Sequence, residues 1–138
     1  MSAAQDLFEA KLRKALRAAG HTPPVCEHTD RSKVTLVLPT GIHIVDFYIP
    51  SLDLYVEYSG NNFLRKLIKM RRAHSLKGVN YFAIIPISAT ELGLPTAGQQ
   101  EKELFNFFLT GPPPGGWTAH SENRLDGLVR RFDLLYCK

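Results

Sequence analysis

Between Ala4 and Ala19 the apolar residues Phe8, Leu12, Ala15, Leu16 and Ala19 recur at helical spacing and form one stripe, and Gly20 stands where a C-terminal cap residue belongs. The pattern predicts an amphipathic first helix. A polar, proline-containing loop follows, and then Val34 to Leu38 is short, apolar and β-branched, ending at Pro39-Thr40-Gly41; this reads as a strand and a turn. Ile42 to Ile49 and Leu54 to Ser59 are two further strand-like runs. The four residues Pro50 to Asp53 between them have the length of a common hairpin loop. Phe63 to Lys77 returns to helical spacing through Leu64, Leu67, Ile68 and Leu76, with Gly78 at its end. Tyr81 to Ile85, before Pro86, is a continuous apolar run of the kind buried on both faces of a sheet. The order to this point is αβββαβ.

Beyond it, Glu101 to Leu109 predicts a short helix and the proline-rich stretch from Gly111 to Gly116 a stiff loop. Leu125, Leu128, Val129, Phe132, Leu135 and Tyr136 then mark a last apolar helical stripe. That stripe must be covered, either by the same core or by a second subunit. The expected fold class is therefore α/β, with a mixed central sheet flanked by helices over residues 1–90 and a C-terminal helical extension over 91–138. At 138 residues the chain has the length of one domain, and folding removes roughly two-thirds of the unfolded chain's surface at this size. With 44% hydrophobic and 22% charged residues it is neither disordered nor membrane-embedded in composition. No long apolar run or leader pattern is present, so a cytoplasmic protein with no membrane partner is expected. Two cysteines, Cys26 and Cys137, make no disulfide framework, and Cys26-Glu27-His28 lacks the paired spacing of a zinc motif.

The net charge of +4 is local. Tyr58 to Gly78 contains Arg65, Lys66, Lys69, Arg71, Arg72 and Lys77 and no acid, which leaves −2 for the rest of the chain. Such a cluster is either a phosphate-facing surface or simply a solvated helix face. The hairpin offers more specific chemistry. If Ile49 pairs with Leu54, counting back sets Tyr48 opposite Tyr55, Asp46 opposite Glu57 and Ile44 opposite Ser59, all on one face, with Cβ atoms about 5 Å apart. Two carboxylates about 4 Å apart repel by roughly 4 kcal/mol at an effective dielectric near 20. A divalent cation with hard oxygen ligands compensates that repulsion, as does a lysine or arginine paired with one acid while the other stays exposed. Alternation puts His43 on the opposite face, as a structural or surface residue. Tyr48, Tyr55 and Tyr58 are more simply core residues than stacking platforms.

Ile44-Val45-Asp46-Phe47-Tyr48-Ile49-Pro50, followed by Leu54-Tyr55-Val56-Glu57-Tyr58-Ser59-Gly60, resembles the central hairpin of PD-(D/E)XK nucleases. It is most similar to small domains related to the very-short-patch repair endonuclease, where "VDFY.P" precedes "L.IE.DG" and a helix ending "R...L...G". Arg72, Leu76 and Gly78 supply that helix with a shortened last gap, and Glu9, Leu12, Leu16 and Gly20 match the group's first helix, "E..L...L...G". The resemblance covers about residues 5 to 86. It implies a metal-dependent DNA endonuclease of repair, junction-resolving or homing type, using Mg²⁺ with Mn²⁺ as a substitute. It further implies Asp46, Glu57 and Glu9 as metal ligands; the alternative for Glu9 is a favourable acid near a helix start. Position 59, usually Lys in the family and Asp in the nearest subgroup, is Ser59; Lys66 and Lys69 on the next helix are the candidates to supply the catalytic cation in its place, unless the metal alone stabilises the developing charge. Arg65, Lys66, Lys69, Arg72 and His74 are the expected DNA-phosphate contacts, and a homodimer or larger homo-oligomer is expected for cutting both strands. Two other readings follow from the same residues. One is a degenerate nuclease fold that binds nucleic acid or protein without cutting; the other is an interaction domain whose basic helix is only a soluble face.

Overall fold

The computed structural model describes residues 3–60, 63–87 and 89–136, together with their side chains apart from Phe63, Phe132, Leu135 and Tyr136. Cys137 and the three apolar side chains at the end of the last predicted stripe lie outside the described set. The chain forms α1 (Ala3–Ala18), α2 (Glu27–Val34), β1 (Thr35–Leu38), β2 (Gly41–Ile44), β3 (Phe47–Ile49), β4 (Leu54–Tyr58), α3 (Phe63–Lys77), β5 (Tyr81–Ile84), α4 (Ala97–Thr110) and α5 (Gly116–Tyr136). It is a mixed α/β fold with a three-stranded sheet in the order β3-β4-β5 and a separate two-stranded sheet, β1-β2.

α1 buries the Phe8, Leu12 and Leu16 stripe and stops where Gly20 takes a φ of +80°, a conformation that costs a residue without a Cβ little. α2 stands where the sequence reads as loop. It has only one buried residue, Val34, and a kink at Asp30, so it carries no apolar period to read. The predicted strand 42–49 is two strands: Val45 and Asp46 break it, and the chain passes from the β1-β2 hairpin into the larger sheet. Beyond the break the hairpin register is Phe47↔Val56, Tyr48↔Tyr55 and Ile49↔Leu54, as the loop length predicts. Its loop turns through Asp53 at φ 47°, the left-handed region that Asp enters more readily than most residues, and Asp53 Oδ1 accepts from the Tyr48 hydroxyl at 2.8 Å. Ile44, by contrast, pairs with Thr35 rather than Ser59.

β4 and β5 run parallel, with α3 as their crossover. Alternation along β5 divides the core: Phe82 and Ile84 join Phe8, Leu12, Leu16, Phe47, Val56, Leu104 and Phe108 on one side, while Tyr81, Ala83 and Ile85 join Leu67, Met70, Leu125 and Leu128 on the other. The sheet is thus covered by α1 and α4 on one face and by α3 and α5 on the other. α4 and the first half of α5 pack on this same core. At about 25 cal/mol per Å² of apolar surface, each fully buried side chain of this kind contributes roughly 1.5 to 3 kcal/mol. No helix among the described residues is long and apolar enough to cross a membrane.

A buried carboxylate pair at the end of the sheet

β4 directs Leu54, Val56 and Tyr58 toward the α1 side, so period two sends Tyr55 and Glu57 to the α3 side. Glu57 is completely buried there. Its Oε2 lies 3.0 Å from Nε2 of buried His43, and its Oε1 lies 3.7 Å from Nζ of Lys66 on α3. Oε1 makes no hydrogen bond among the described residues. Asp46 sits at the break between β2 and β3, where Val45 N–H donates to Val34 O at 2.8 Å and pins the bend. Its Oδ2 accepts from the Tyr58 amide at 2.8 Å and its Oδ1 from Gln5 Nε2 at 3.1 Å. The two carboxyl groups are close enough for each to shift the other's protonation.

Burial dominates the electrostatics. It pushes Asp46 up to about 8, and the neighbouring Glu57 carboxylate pushes the same way against Lys66 and the Tyr58 amide. Glu57 is raised too, by its own burial, while Asp46, Lys66 and Lys69 favour its charged form. Burial thus favours the neutral form of both acids, and Asp46, raised to about 8, keeps its proton at neutral pH. His43 is lowered to about 4 by burial and by the charges of Lys69 and Lys66, so it is a neutral imidazole that donates through Nε2. Two acids, one neutral histidine and two lysines thus converge beside the carboxyl end of the parallel strands, where α/β sheets commonly place their sites.

The other predicted site residues divide. Lys66 meets the pair directly, and Lys69 reaches it only through its charge. Ser59 is fully buried with its Oγ unbonded among the described residues, and its amide extends the β4-β5 pairing to Ile84 O at 2.8 Å. Glu9 does not join Asp46 and Glu57 as expected. Its Oε1 lies 3.0 Å from Arg13, 3.6 Å from Cys26 Sγ and 3.9 Å from His28 Nε2. The α1 residue that reaches Asp46 is Gln5, one turn earlier, a displacement of about 6 Å along the helix. On α3, Arg65 and Arg72 are exposed, with Arg72 donating to Thr40 Oγ1 at 3.4 Å. Arg71 pairs with Asp126 at 2.6 Å. His74 is half-buried, and its Nδ1 lies 3.3 Å from Val79 O at the helix end. Tyr58 is core, stacked on Phe8 at 4.7 Å, and Tyr48 packs against Tyr55 at 4.6 Å.

His43 is the residue that counting along one strand misses. A signal exists: apolar positions are even at Ile42 and Ile44 and odd at Val45, Phe47 and Ile49, and that change of parity marks the break. The chain matches no protein-family model, no curated protein and no solved structure.

Proposed function

We propose that the chain is a metal-dependent DNA endonuclease of PD-(D/E)XK type, hydrolysing phosphodiester bonds at Asp46 and Glu57. One observation carries this reading: the buried Glu57 and the half-buried Asp46 carboxyl groups stand together next to Lys66, on a face whose neighbouring helix bears exposed basic side chains. A fold gains nothing in stability from placing two acids together in a low-dielectric site. The residues suit a hard divalent cation. Both acids offer oxygen, and the buried Glu57 Oε1 has no hydrogen bond to lose. Asp46 and Glu57 would hold Mg²⁺ or Mn²⁺, which supplies the Lewis acidity that polarises a phosphate ester and acidifies the attacking water.

The chain's own groups take the remaining roles. His43, neutral and donating, fixes Glu57 Oε2 and leaves Oε1 for the ion. A divalent cation held there would favour ionised Asp46, whose proton would pass to solvent. Lys66, released from Glu57, stabilises negative charge developing on the phosphate, which buried Ser59 does not do. Arg65, Lys69 and Arg72 meet neighbouring phosphates. Cleavage of both strands would use two copies about a two-fold axis.

A second reading, a nuclease-like binder that does not cut, draws on Ser59 and on Lys66 already neutralising Glu57. Incubation with supercoiled plasmid and a synthetic four-way junction, in Mg²⁺, Mn²⁺ or EDTA, separates the two. The endonuclease reading expects nicked, linear or resolved product only with metal, lost in Asp46→Ala and Glu57→Ala proteins that still bind DNA. Protein that binds both substrates and cuts neither with either metal is the non-cutting binder.

A further inference from the structure

Outside the carboxylate pair, three metal-ligating groups of different chemistry meet between α1 and the start of α2. Cys26 Sγ is 3.6 Å from Glu9 Oε1 and 3.3 Å from His28 Nε2, and the third edge, His28 Nε2 to Glu9 Oε1, is 3.9 Å. Four-coordinate zinc bound by sulfur, nitrogen and oxygen at their usual lengths needs ligand-to-ligand edges of about 3.4 to 3.6 Å. The two edges that meet at the sulfur are within a few tenths of an ångström of that size, and the His28–Glu9 edge is about half an ångström longer. A single thiol proton serves only one of the two edges that meet at the sulfur, whereas an ion at the centre serves all three.

The ligands are also held. The Cys26 amide donates to Thr29 Oγ1 at 2.9 Å, fixing the backbone that carries the sulfur. Arg13 Nη2 donates to Glu9 Oε1 at 3.0 Å, which fixes the same oxygen that faces the sulfur and the imidazole. The His28 side chain is exposed, and its Nδ1 is also within 3.5 Å of the sulfur, so the ring has room to turn either nitrogen's lone pair inward. Cys26 and His28 line a cavity of about 550 Å³ that Gln5, Arg31 and Asp46 also line. That cavity gives an ion a route in and leaves a fourth position open.

We propose that Glu9, Cys26 and His28 form a binding site for a thiophilic divalent metal, zinc or a zinc-like ion, with its open position toward this cavity. One thiolate, one imidazole and one carboxylate select Zn²⁺ or Co²⁺ over Mg²⁺, whose preference is for oxygen alone. Binding releases the thiol proton to solvent and leaves the sulfur as thiolate ligand. An oxygen ligand, water or a phosphate oxygen, completes the coordination. The site stands independently of the nuclease reading, because its three ligands, Glu9, Cys26 and His28, are different side chains from Asp46 and Glu57.

Co²⁺ is the probe, because a cobalt-thiolate bond gives a charge-transfer band that carboxylate and imidazole ligands do not. Tag-free, metal-free full-length protein titrated with Co²⁺ should develop that band to saturation at one equivalent. Zn²⁺ should abolish it, and a large excess of Mg²⁺ should not. Cys26→Ser should remove the band; His28→Ala and Glu9→Gln should each weaken Co²⁺ binding at least tenfold; Cys137→Ser and Asp46→Asn should leave it unchanged. His28 is exposed, so its replacement reads out ligation in a protein whose helical circular dichroism is unaltered. Absence of the band in the parent protein overturns the proposal. So does a band that keeps its affinity in both His28→Ala and Glu9→Gln, which would reveal an isolated thiol.

Discussion

Replacing Asp46 with Asn removes the carboxyl proton while keeping the shape of the side chain, and its consequence for stability in metal-free buffer follows from two opposed titrations. Asp46 is raised from 3.8 to about 8, so its contribution is complete below pH 3.8 and is lost as pH climbs to 8. His43 is depressed from 6.5 to about 4, so its contribution is complete above pH 6.5 and is lost as pH falls to 4. Each proton is worth about 1.4 kcal/mol per pH unit. Between pH 4 and 6.5 the two slopes cancel. From 6.5 to 8 only Asp46 acts, and the parent protein should lose about 2 kcal/mol across that window. Relative to the parent, the Asp46→Asn protein should lose about 2 kcal/mol less from 6.5 to 8 and gain about 3 kcal/mol more from 4 to 6.5, where His43 is no longer opposed. Glu57, raised in the same direction, adds a slope of its own to both proteins, which Asp46 moderates in the parent. Urea midpoints in EDTA from pH 4 to 8.5, at constant m, measure the difference. Saturating Mn²⁺ at pH 8 should restore the parent protein's stability and leave the variant unmoved. Parallel curves for the two proteins between pH 6.5 and 8 would refute the proton on Asp46.

Three other perturbations test the parts of the site separately. Glu57→Gln should cut metal-dependent cleavage by at least a hundredfold, about 2.7 kcal/mol, with DNA affinity in EDTA unchanged or tighter; retained turnover in folded protein removes Glu57 from the chemistry. Lys66→Ala should lower turnover at least tenfold and Lys69→Ala by less, because only Lys66 contacts Glu57; single-turnover kinetics at saturating DNA report this, and the reverse order would assign the catalytic cation to Lys69. Arg65→Ala with Arg72→Ala should weaken binding equally on unrelated sequences and reduce the slope of log affinity against log salt by up to about 2, whereas an unchanged slope means that face is only solvated.

Elements with a strong period were legible in the chain. The α1 stripe, the α3 spacing, the doubly buried β5 and the hairpin register from Ile49↔Leu54 to Tyr48↔Tyr55 all follow from residue order and loop length. α2 was not, because eight residues with one buried side chain hold no pattern, and it forms where Cys26 and Val45 anchor its ends. The hairpin count brings Asp46 toward Glu57, although the strand pairing ends at Phe47↔Val56 and Asp46 stands in the break beyond it. The neighbours of these two acids were not legible. His43 reaches Glu57 because the strand breaks at Val45 and Asp46, and Gln5 rather than Glu9 reaches Asp46 because the axial position of α1 over the sheet is set by packing. The Glu9, Cys26 and His28 cluster draws on two separate helices and their junction, so no local spacing rule encodes it.

The position of a bound divalent cation tests the central claim most directly. Crystals of the protein soaked in Mn²⁺ and measured for anomalous scattering should show one peak between the carboxyl groups of Asp46 and Glu57, with Lys66 displaced from Glu57 Oε1, and Glu57→Gln crystals treated alike should show none. Saturated crystals with no anomalous peak at Asp46 and Glu57, and with Lys66 still on Glu57, would contradict it.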